Sequence, residues 1–248
     1  MLRALIWDVD GTVAETERDG HRVAFNQAFE ALGLPWRWGV AEYGELLRVT
    51  GGRERLLHDM SRRADAPPPA QREALVGELH RRKNRFYAEL VRAGGIAARP
   101  GVLRLMDECT RAGLAMAIAT TTSTDNVLAL FARLLGADWR GRFAAVVCAE
   151  DAPLKKPDPQ AYALALQRLG VAPSEAFALE DSPAGLAAAR AAGVRCGITR
   201  SIYFVDADFA GAAWVRDDLE TPTPMTPALL RLAGSGTMSA SPDPASRP

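Results

Sequence analysis

The chain has 248 residues, and its 30 lysines and arginines equal its 30 aspartates and glutamates, so its formal net charge is zero. This balance gives no support to nucleic-acid binding, which requires an excess of positive charge. The N-terminal apolar run is too short for a signal peptide or a membrane span, and the three cysteines lack metal-binding spacing. We therefore expect a cytoplasmic protein of one or two domains, with reduced cysteines and without a membrane, nucleic-acid or obligate protein partner.

The first predicted element is a buried strand that ends in two carboxylates. Residues 4–7 form a continuous apolar run, and Asp8 and Asp10 follow directly, with Gly11 allowing a sharp turn. Carboxylates at a strand end suit a hard cation such as Mg²⁺, and an aspartate can also attack phosphorus. We interpret Asp8 as nucleophile and metal ligand, and Asp10 as general acid/base and a further candidate metal ligand. The alternative is an ordinary turn with a helix cap.

A long helical stretch separates this strand from the next one. The spacing of apolar residues predicts several helices, the longest from Ala70 to Arg92. The basic runs 62–63 and 81–83 are short and lie on predicted helices, where we expect a solvated face. We place an all-helical cap at residues 16–98, with residues 99–101 as the linker back to the core.

The second strand is predicted over residues 115–119 and ends in a turn rich in hydroxyl groups. Thr120 and Thr122 lie just before a predicted helix, Asp125 to Leu135. A helix start presents unpaired N–H donors and the positive end of the helix dipole, so this turn can bind an anion. Thr120 is the preferred phosphate ligand and Thr122 a second one, although such residues also cap helices without binding anything.

Lysine is rare in this chain, which contains only Lys83, Lys155 and Lys156. Lys156 precedes Pro157 on a short loop, before a helix predicted from Pro159 to about Gly170. A lysine fixed in this way can place a positive charge against a phosphate and an attacking carboxylate. A solvated pair of surface lysines is the alternative.

A later predicted strand, residues 177–179, ends in two more acidic residues, Glu180 and Asp181, just before a helix start at Ser182. We assign Asp181 as a direct metal ligand and Glu180 as a ligand or a partner through water. Acidic residues are also common at helix N-termini, where they interact favourably with the dipole. Each of the four segments has such an ordinary explanation, but all four fall at predicted strand ends and each supplies a different part of one site.

Strands and helices alternate through the rest of the chain, which predicts an α/β fold with a doubly wound, Rossmann-like and mainly parallel sheet. The core is expected to comprise residues 1–15 and 99–222, with the cap inserted between them. Residues 223–248 form a C-terminal segment that is predicted to be disordered from about residue 234, where Ser, Pro, Gly and Ala dominate. The predicted strands lie near residues 2–8, 115–120, 143–148, 177–179, 194–198 and 213–215.

The four segments, read as Asp-x-Asp-Gly-Thr, Thr, Lys-Pro and Glu-Asp, resemble in type and order the motifs of haloacid dehalogenase superfamily phosphatases. The resemblance extends over roughly residues 1–220. Dehalogenases of this superfamily lack the second aspartate, so Asp10 favours phosphate chemistry. The resemblance implies a nucleophile at Asp8, an acid/base at Asp10, phosphate binding by Thr120 and Lys156, and Mg²⁺ held by Glu180 and Asp181.

Substrate choice is expected to come from the cap, because the core motifs contact only the phosphoryl group. The segment Gly51-Gly52-Arg53 lies at a predicted helix start, where backbone donors and an arginine can bind a second anionic group. Arg53 is therefore our first choice for a distal phosphate. His21 could orient Asp10, or it could be an ordinary exposed helix residue. The candidate ligands of sugar hydroxyls are Glu15, Glu17 and His21.

Longer stretches, residues 8–17, 19–26, 43–47 and 51–55, resemble the CbbY-type members of the superfamily. This resemblance implies hydrolysis of xylulose 1,5-bisphosphate, a Rubisco inhibitor, to xylulose 5-phosphate and phosphate. The alternatives are a β-phosphoglucomutase-like isomerase and a phosphatase of phosphoglycolate or other small phosphates.

One position in the cap bears on the isomerase alternative. The related mutases carry a cap lysine where this chain has Glu89, which argues against isomerase activity, although Lys83 could substitute. A non-catalytic sugar-phosphate sensor is a further alternative, and the intact set of catalytic residues argues against it.

Overall fold

The structure, a computed structural model, describes residues 1–235 and places six strands in a single parallel sheet. The strands are β1 (Ala4–Trp7), β2 (Ala115–Ala119), β3 (Ala145–Val147), β4 (Ala176–Glu180), β5 (Arg195–Thr199) and β6 (Trp214–Arg216). Their order across the sheet is β3-β2-β1-β4-β5-β6, and every pairing is parallel. The predicted strands and the doubly wound α/β architecture are thus confirmed.

The helices of the described residues alternate with these strands outside the cap. They are α1 (Arg22–Ala31), α2 (Val40–Leu46), α3 (Gly52–Arg62), α4 (Pro69–Arg92), α5 (Val102–Arg111), α6 (Thr124–Leu135), α7 (Gln160–Leu169), α8 (Pro183–Ala191) and α9 (Pro227–Ser235). Within residues 1–235, no helix is both long and apolar enough to cross a membrane.

The central strand β1 is buried on both faces, because its side chains alternate between two layers of helices. Leu5 and Trp7 pack in one cluster with α5, α6 and α9, whereas Ala4 and Ile6 pack in a second cluster with α7 and α8. This explains why β1 is a continuous apolar run rather than an alternating one. The strand ends at Asp8, where the chain reaches the carboxyl edge of the sheet.

Helices α1 to α4 enclose a third apolar cluster, built around Phe25, Phe29 and Trp38. Near their return to the sheet, the two linkers of this helical region run side by side. Ala14 bridges to Ala98, and the Arg99 N–H donates to the Val13 carbonyl at 2.9 Å. We propose this crossing as the boundary of the cap, for which the sequence predicts the division at residues 15/16 and 98/99.

The Arg99 side chain binds several backbone carbonyls of the core. Its guanidinium is buried and donates to the backbone carbonyls of Gly11, Thr199, Arg200 and Asp217. These carbonyls lie at the carboxyl edge of the sheet, at the end of β5 and in the segments that follow β1, β5 and β6. Arg99 therefore connects the base of the cap, where its two linkers run side by side, to the backbone that follows Asp8 and Asp10.

The cysteines, the start of α7 and the end of α9 can also be compared with the sequence predictions. All three cysteines are free and buried, as expected for reduced core residues. Helix α7 begins at Gln160 rather than Pro159, because the Asp158 carboxylate accepts from the Gln160 N–H and holds Pro159 in a preceding turn. At the C-terminus, α9 extends to Ser235, and the remainder of the segment predicted to be disordered lies outside the described residues.

Candidate active site

The side chains predicted for phosphoryl chemistry meet at the carboxyl edge of the sheet. Trp7 of β1 pairs with Ile118 on one side and Leu179 on the other, so the residues that follow emerge at one level. The Asp8 N–H donates to the Leu179 carbonyl at 3.0 Å. The parallel register therefore brings together residues that are far apart in sequence. These residues are Asp8, Thr120, Glu180 and Asp181.

Lys156 joins this group from the loop before α7. Its ammonium donates to Asp8 Oδ1 at 2.7 Å, to Glu180 Oε1 at 2.5 Å and to the Ala119 carbonyl at 2.9 Å. Tyr162 of α7 donates its hydroxyl to the same Glu180 oxygen at 2.7 Å. Burial alone would lower the pKa of Lys156, but Asp8 and Glu180 reverse the effect and raise it above its ordinary value. The lysine is thus a fixed cation, not a solvated surface residue.

Three buried carboxylates form a potential metal site. Asp8, Glu180 and Asp181 each offer an oxygen, and these oxygens lie within 4.8 Å of one another. Burial and the neighbouring Glu180 raise the pKa of Asp8 to about 7, despite the opposing effect of Lys156. Burial and the charge of Asp8 likewise raise the pKa of Asp181 well above its usual range. Three carboxylates face one ammonium here, so a hard divalent cation bound by carboxylate oxygens fits the site.

Two glycines let the backbone approach this carboxylate group. Gly11 has a φ of 85°, and a Cβ there would lie 2.0 Å from Asp181 Oδ2. A Cβ on Gly185, in the first turn of α8, would lie 1.9 Å from Glu180 Oε2. Ser182 caps that helix by accepting from the Gly185 N–H at 3.1 Å. The carboxylates therefore occupy space that any other residue at either position would fill.

Asp10 is oriented away from the other carboxylates. Its Oδ1 accepts from the Thr16 hydroxyl at 2.5 Å and lies 2.9 Å from His21 Nε2. Burial would raise the pKa of Asp10, but His21 outweighs it and the pKa falls to about 2. The Asp10 carboxylate, predicted as a further metal ligand, is thus not part of the group formed by Asp8, Glu180 and Asp181.

His21 is buried rather than exposed, contrary to the alternative considered from sequence. It lies in a single π-helical turn, Glu17–His21, that leads into α1. Its ring stacks on Tyr87 of α4 at a centroid distance of 4.2 Å. Tyr87 contacts one face of the ring and Asp10 lies at one nitrogen, so the imidazole is held next to the Asp10 carboxylate.

The cavity above the catalytic edge has two lobes. The first encloses about 300 Å³ and the second about 260 Å³. The first lobe lies over Asp8, Lys156, Asp181 and the start of α8, and is bounded by Leu47 and Arg48 of the cap and by Phe204 of the core. The second lobe is lined by Thr122, His21, Gly52, Arg53, His80, Lys83 and Lys155. Both lobes share Asp10, Glu17, Gly51, Arg55 and Thr121.

The predicted phosphate ligands lie at the start of α6. Thr122 lines the second lobe, and its backbone N–H donates to Thr120 Oγ1 at 3.2 Å. Thr120 itself is buried just beneath, and Thr121, between them, lines both lobes. Thr121 and Thr122 therefore bring this turn to the cavity at the N-terminus of a helix, whereas Thr120 does not line either lobe.

The predicted cap residues divide into two groups. Glu17, Gly51, Gly52 and Arg53 all line the cavity, and Arg53 is half-exposed and paired with Glu73 at 3.0 Å. Glu15 lies elsewhere: its Oε1 accepts from the Ile202 N–H at 3.3 Å and is 3.6 Å from Arg99. Glu15 is thus placed at the root of the cap and not on either lobe.

Lys83 was misjudged from sequence. The basic run at 81–83 predicted a solvated face, yet Lys83 is buried and lines the second lobe. Its ammonium lies 5.2 Å from the centre of the Phe25 ring, and burial lowers its pKa to about 8. The spacing Val76, Leu79, Lys83, Tyr87 was the available signal, because it places Lys83 in the apolar row of α4. Glu89, in contrast, is exposed.

Arg55 and Tyr43 were also not singled out from sequence. The buried Arg55 donates to the Tyr43 hydroxyl at 2.7 Å, and that hydroxyl donates to Glu17 Oε2 at 2.6 Å. Arg55 Nη1 also lies 3.7 Å from Glu17. The three residues come from separate segments of the cap, so no local pattern could have connected them.

Comparison with known proteins places this chain in a family. Residues 2–193 match the haloacid dehalogenase-like hydrolases. CbbY from Cupriavidus necator is 46% identical over 230 residues, covering 91% of this chain and 89% of that protein. The CBBY-like protein of Arabidopsis thaliana is 38% identical over 223 residues, covering 88% of this chain and 70% of that protein.

Solved structures of a CbbY protein have the same fold as this chain. CbbY from Rhodobacter sphaeroides has been solved in complex with phosphate, and a variant of it in complex with xylulose 1,5-bisphosphate. Each superposes with a TM-score of 0.85 at 41% identity, covering 91% of this chain and 98% of that chain. The chain belongs to the haloacid dehalogenase-like hydrolases and, within them, to the CbbY group.

Proposed function

We propose that this protein is a Mg²⁺-dependent phosphatase that hydrolyses xylulose 1,5-bisphosphate to xylulose 5-phosphate and phosphate. The observation that carries the proposal is the placement of buried carboxylates and of a group of cations in two parts of one cavity. Buried carboxylates adjoin the first lobe, whereas Arg53, Lys83 and Lys155 face the second. Such a cavity suits a substrate with one phosphate at the metal and another beneath the cap, as in the bisphosphate bound by the CbbY variant.

The carboxylate of Asp8 is the proposed nucleophile. It would attack phosphorus to form an aspartyl-phosphate, which water then hydrolyses. Lys156, 2.7 Å from Asp8 Oδ1, holds the attacking group in place and offsets charge on the phosphoryl oxygens. Mg²⁺, held by Asp8, Glu180 and Asp181, would neutralise negative charge on the phosphoryl group. Thr120, Thr122 and the backbone at the start of α6 would bind the remaining oxygens.

Asp10 is the proposed acid/base. With a pKa of about 2, its carboxylate is ionised in the resting site. The proton needed by the leaving alcohol can be shared between Asp10 and His21, which are 2.9 Å apart. After the alcohol departs, the ionised Asp10 can accept a proton from the attacking water. Because Thr16 and His21 both belong to the cap, Asp10 is oriented by the region that also covers the substrate.

The second lobe is the proposed site of the distal phosphate. Arg53 remains the predicted ligand, and Lys83 and Lys155 provide two further cations on the same lobe. Glu17, with its partner Arg55, would contact the sugar hydroxyls where the lobes meet. A small phosphate such as 2-phosphoglycolate would leave this lobe unfilled and Lys83 and Lys155 without an ion pair, so the lobe argues for the larger substrate. Removal of a Rubisco inhibitor in the cytoplasm is the corresponding role.

The proposal is tested by phosphate release with Mg²⁺ from xylulose 1,5-bisphosphate, ribulose 1,5-bisphosphate, 2-phosphoglycolate and β-glucose 1-phosphate. We expect strong selectivity for the first, with phosphate released in equal amount to the substrate consumed. Equal rates on all four, or preference for a monophosphate, would overturn the substrate. Conversion of β-glucose 1-phosphate to glucose 6-phosphate without free phosphate would instead indicate the isomerase.

A further inference from the structure

A short core loop after β5 lies against the cap. The Tyr203 ring lies 6.0 Å from the Tyr43 ring of α2, at an interplanar angle of 60°. The contact is close at Gly44, where a Cβ would lie 3.0 Å from Tyr203 Cδ1. Phe204 packs against both the apolar cluster of α7 and α8 and that of the cap. Residues 201–205, which we call the 201–205 loop, thus connect the two apolar clusters.

The cap residue in contact with this loop, Tyr43, also holds two charged side chains that line the cavity. Tyr43 is fully buried, donates its hydroxyl to Glu17 and accepts from Arg55. Glu17 and Arg55 both face the two lobes of the cavity. The position of the Tyr43 ring therefore determines where an acidic and a basic group meet the substrate.

The same loop also reaches the cavity directly. Phe204 lines the first lobe, opposite the cap residue Leu47. The Tyr203 hydroxyl, by contrast, is buried and has no hydrogen-bond partner among residues 1–235. The Tyr203 contribution thus comes from the packing of its ring on α2 and not from a polar contact.

We infer that the 201–205 loop is a specificity element: Tyr203 positions Glu17, Tyr43 and Arg55 over the substrate, and Phe204 forms an apolar wall beside it. The inference rests on the proposed function, since it concerns how the same cavity selects a sugar bisphosphate. Tyr203 is a positioning residue and touches no reacting atom. A substrate that occupies only the region around Asp8 does not need Glu17 or Arg55, so its hydrolysis does not depend on Tyr203.

The direct test compares Tyr203→Ala with Tyr203→Phe on two substrates, xylulose 1,5-bisphosphate and p-nitrophenyl phosphate. Loss of the ring contact is expected to raise KM for the bisphosphate by about tenfold, with little change for the aryl phosphate. Tyr203→Phe keeps the ring and removes only the unpartnered hydroxyl, so it should behave as the unaltered protein. Equal effects of Tyr203→Ala on both substrates, or no effect on either, would overturn the inference.

A second variant approaches the same contact from the cap. Alanine is a better helix former than glycine, so Gly44→Ala should stabilise α2 by itself. Its methyl group would nevertheless displace the Tyr203 ring, and KM for the bisphosphate should rise. In the Tyr203→Ala background, Gly44→Ala should then have no further effect on KM, whereas additive effects would contradict the coupling.

Phosphate release by the unaltered protein shows whether a failed test concerns this inference or the proposed function. If it releases no phosphate from xylulose 1,5-bisphosphate, the proposed substrate is wrong. The same variants are then compared on the panel substrate with the highest kcat/KM, again relative to p-nitrophenyl phosphate. A selective loss there would still support the loop as a specificity element, and a uniform loss would refute it.

Discussion

The catalytic edge of the core and the second lobe beneath the cap differ in which of their buried charges lack a partner. At the edge, Asp8, Glu180 and Asp181 face one ammonium, Lys156, and burial together with the neighbouring carboxylates raises the pKa of both aspartates. In the second lobe, Lys83 and Lys155 form no ion pair among residues 1–235, and burial lowers the pKa of each. The edge therefore fits a cation such as Mg²⁺. The second lobe also contains carboxylates, among them Glu54 and Glu150, but its two ammonium groups without an ion pair can bind a distal phosphate.

The largest expected effect follows from removing the nucleophile at the catalytic edge. Asp8→Asn keeps the shape of the side chain but cannot form the aspartyl-phosphate, so kcat should fall by about 10⁴-fold or more. The readout is phosphate release from xylulose 1,5-bisphosphate. Asp151→Asn is the matched control, because Asp151 is a surface carboxylate paired with Arg168. Substantial activity in Asp8→Asn would exclude Asp8 as nucleophile.

A methyl group at Gly185 should also damage the catalytic edge without altering any charge. It would lie within 2.2 Å of both Glu180 oxygens, which must then leave Lys156 and Tyr162. We expect a stability loss of about 1–3 kcal/mol and a higher Mg²⁺ requirement, measured by thermal unfolding and by calorimetric titration of Mg²⁺. Gly39→Ala, where a Cβ meets nothing within 4 Å, is the control. Unchanged Mg²⁺ affinity would contradict the metal role of Glu180.

Lys83→Met should have opposite effects on stability and on substrate binding. Burial lowers the pKa of Lys83 from 10.5 to about 8, so between these pH values the unfolded chain binds a proton that the folded chain does not. Stability therefore rises with pH across this window, and below it the folded protein bears the full cost of the buried charge. At pH 7 the variant should thus be more stable, by about 1–3 kcal/mol, and should have a higher KM for the bisphosphate.

Chemical unfolding at pH 7 and pH 10 provides the measurement for Lys83. The stability advantage of Lys83→Met should shrink as the pH rises, because the unaltered protein loses its penalty. Arg85→Met removes an exposed charge from the same helix and should show neither effect. A variant that is less stable at pH 7 would show that Lys83 is stabilised by its surroundings.

The smallest expected effect belongs to Arg53. This side chain is 45% exposed and already paired with Glu73, so its contribution to phosphate binding is partly screened. Arg53→Ala should raise KM for the bisphosphate by about fivefold and leave KM for a small monophosphate unchanged. Arg62→Ala, an exposed arginine at the end of the same helix, is the control. Equal effects on the two substrates would refute a distal-phosphate role.

The difference between the catalytic edge and the cap also explains what could be predicted from sequence. In a parallel sheet, residues that follow strands must meet at one edge, so apolar runs followed by Asp8, Thr120 and Glu180 sufficed to assemble the catalytic edge. Lys156 was found because lysine is rare and a proline fixes its loop. The six strands were predicted for the related reason that a fully buried strand is apolar throughout.

The cap could be predicted only in part. The spacing of apolar residues was enough to predict its helices. The two lobes of the cavity, however, are lined by residues from α1, α3 and α4 and from core loops, and no periodic pattern in the sequence shows how these segments pack together. Lys83 was assigned to the wrong face because its two basic neighbours concealed the apolar row to which it belongs. Arg55 was not identified because its partners, Glu17 and Tyr43, lie in other segments. Glu15, chosen for its proximity to the motif, instead faces Arg99.

The central claim is that phosphate passes through Asp8 and is then released to water. The most direct measurement stops a reaction with xylulose 1,5-bisphosphate and Mg²⁺ by rapid acid quench and identifies the phosphorylated peptide by mass spectrometry, with free phosphate counted in parallel. Asp10→Asn serves as a second sample, in which less phosphate should reach Asp8 because the leaving alcohol lacks its proton donor. We predict a phosphoryl group on Asp8 and one phosphate released per bisphosphate consumed. Phosphate release without labelling of Asp8 in the unaltered protein, or labelling of another residue, would contradict the account.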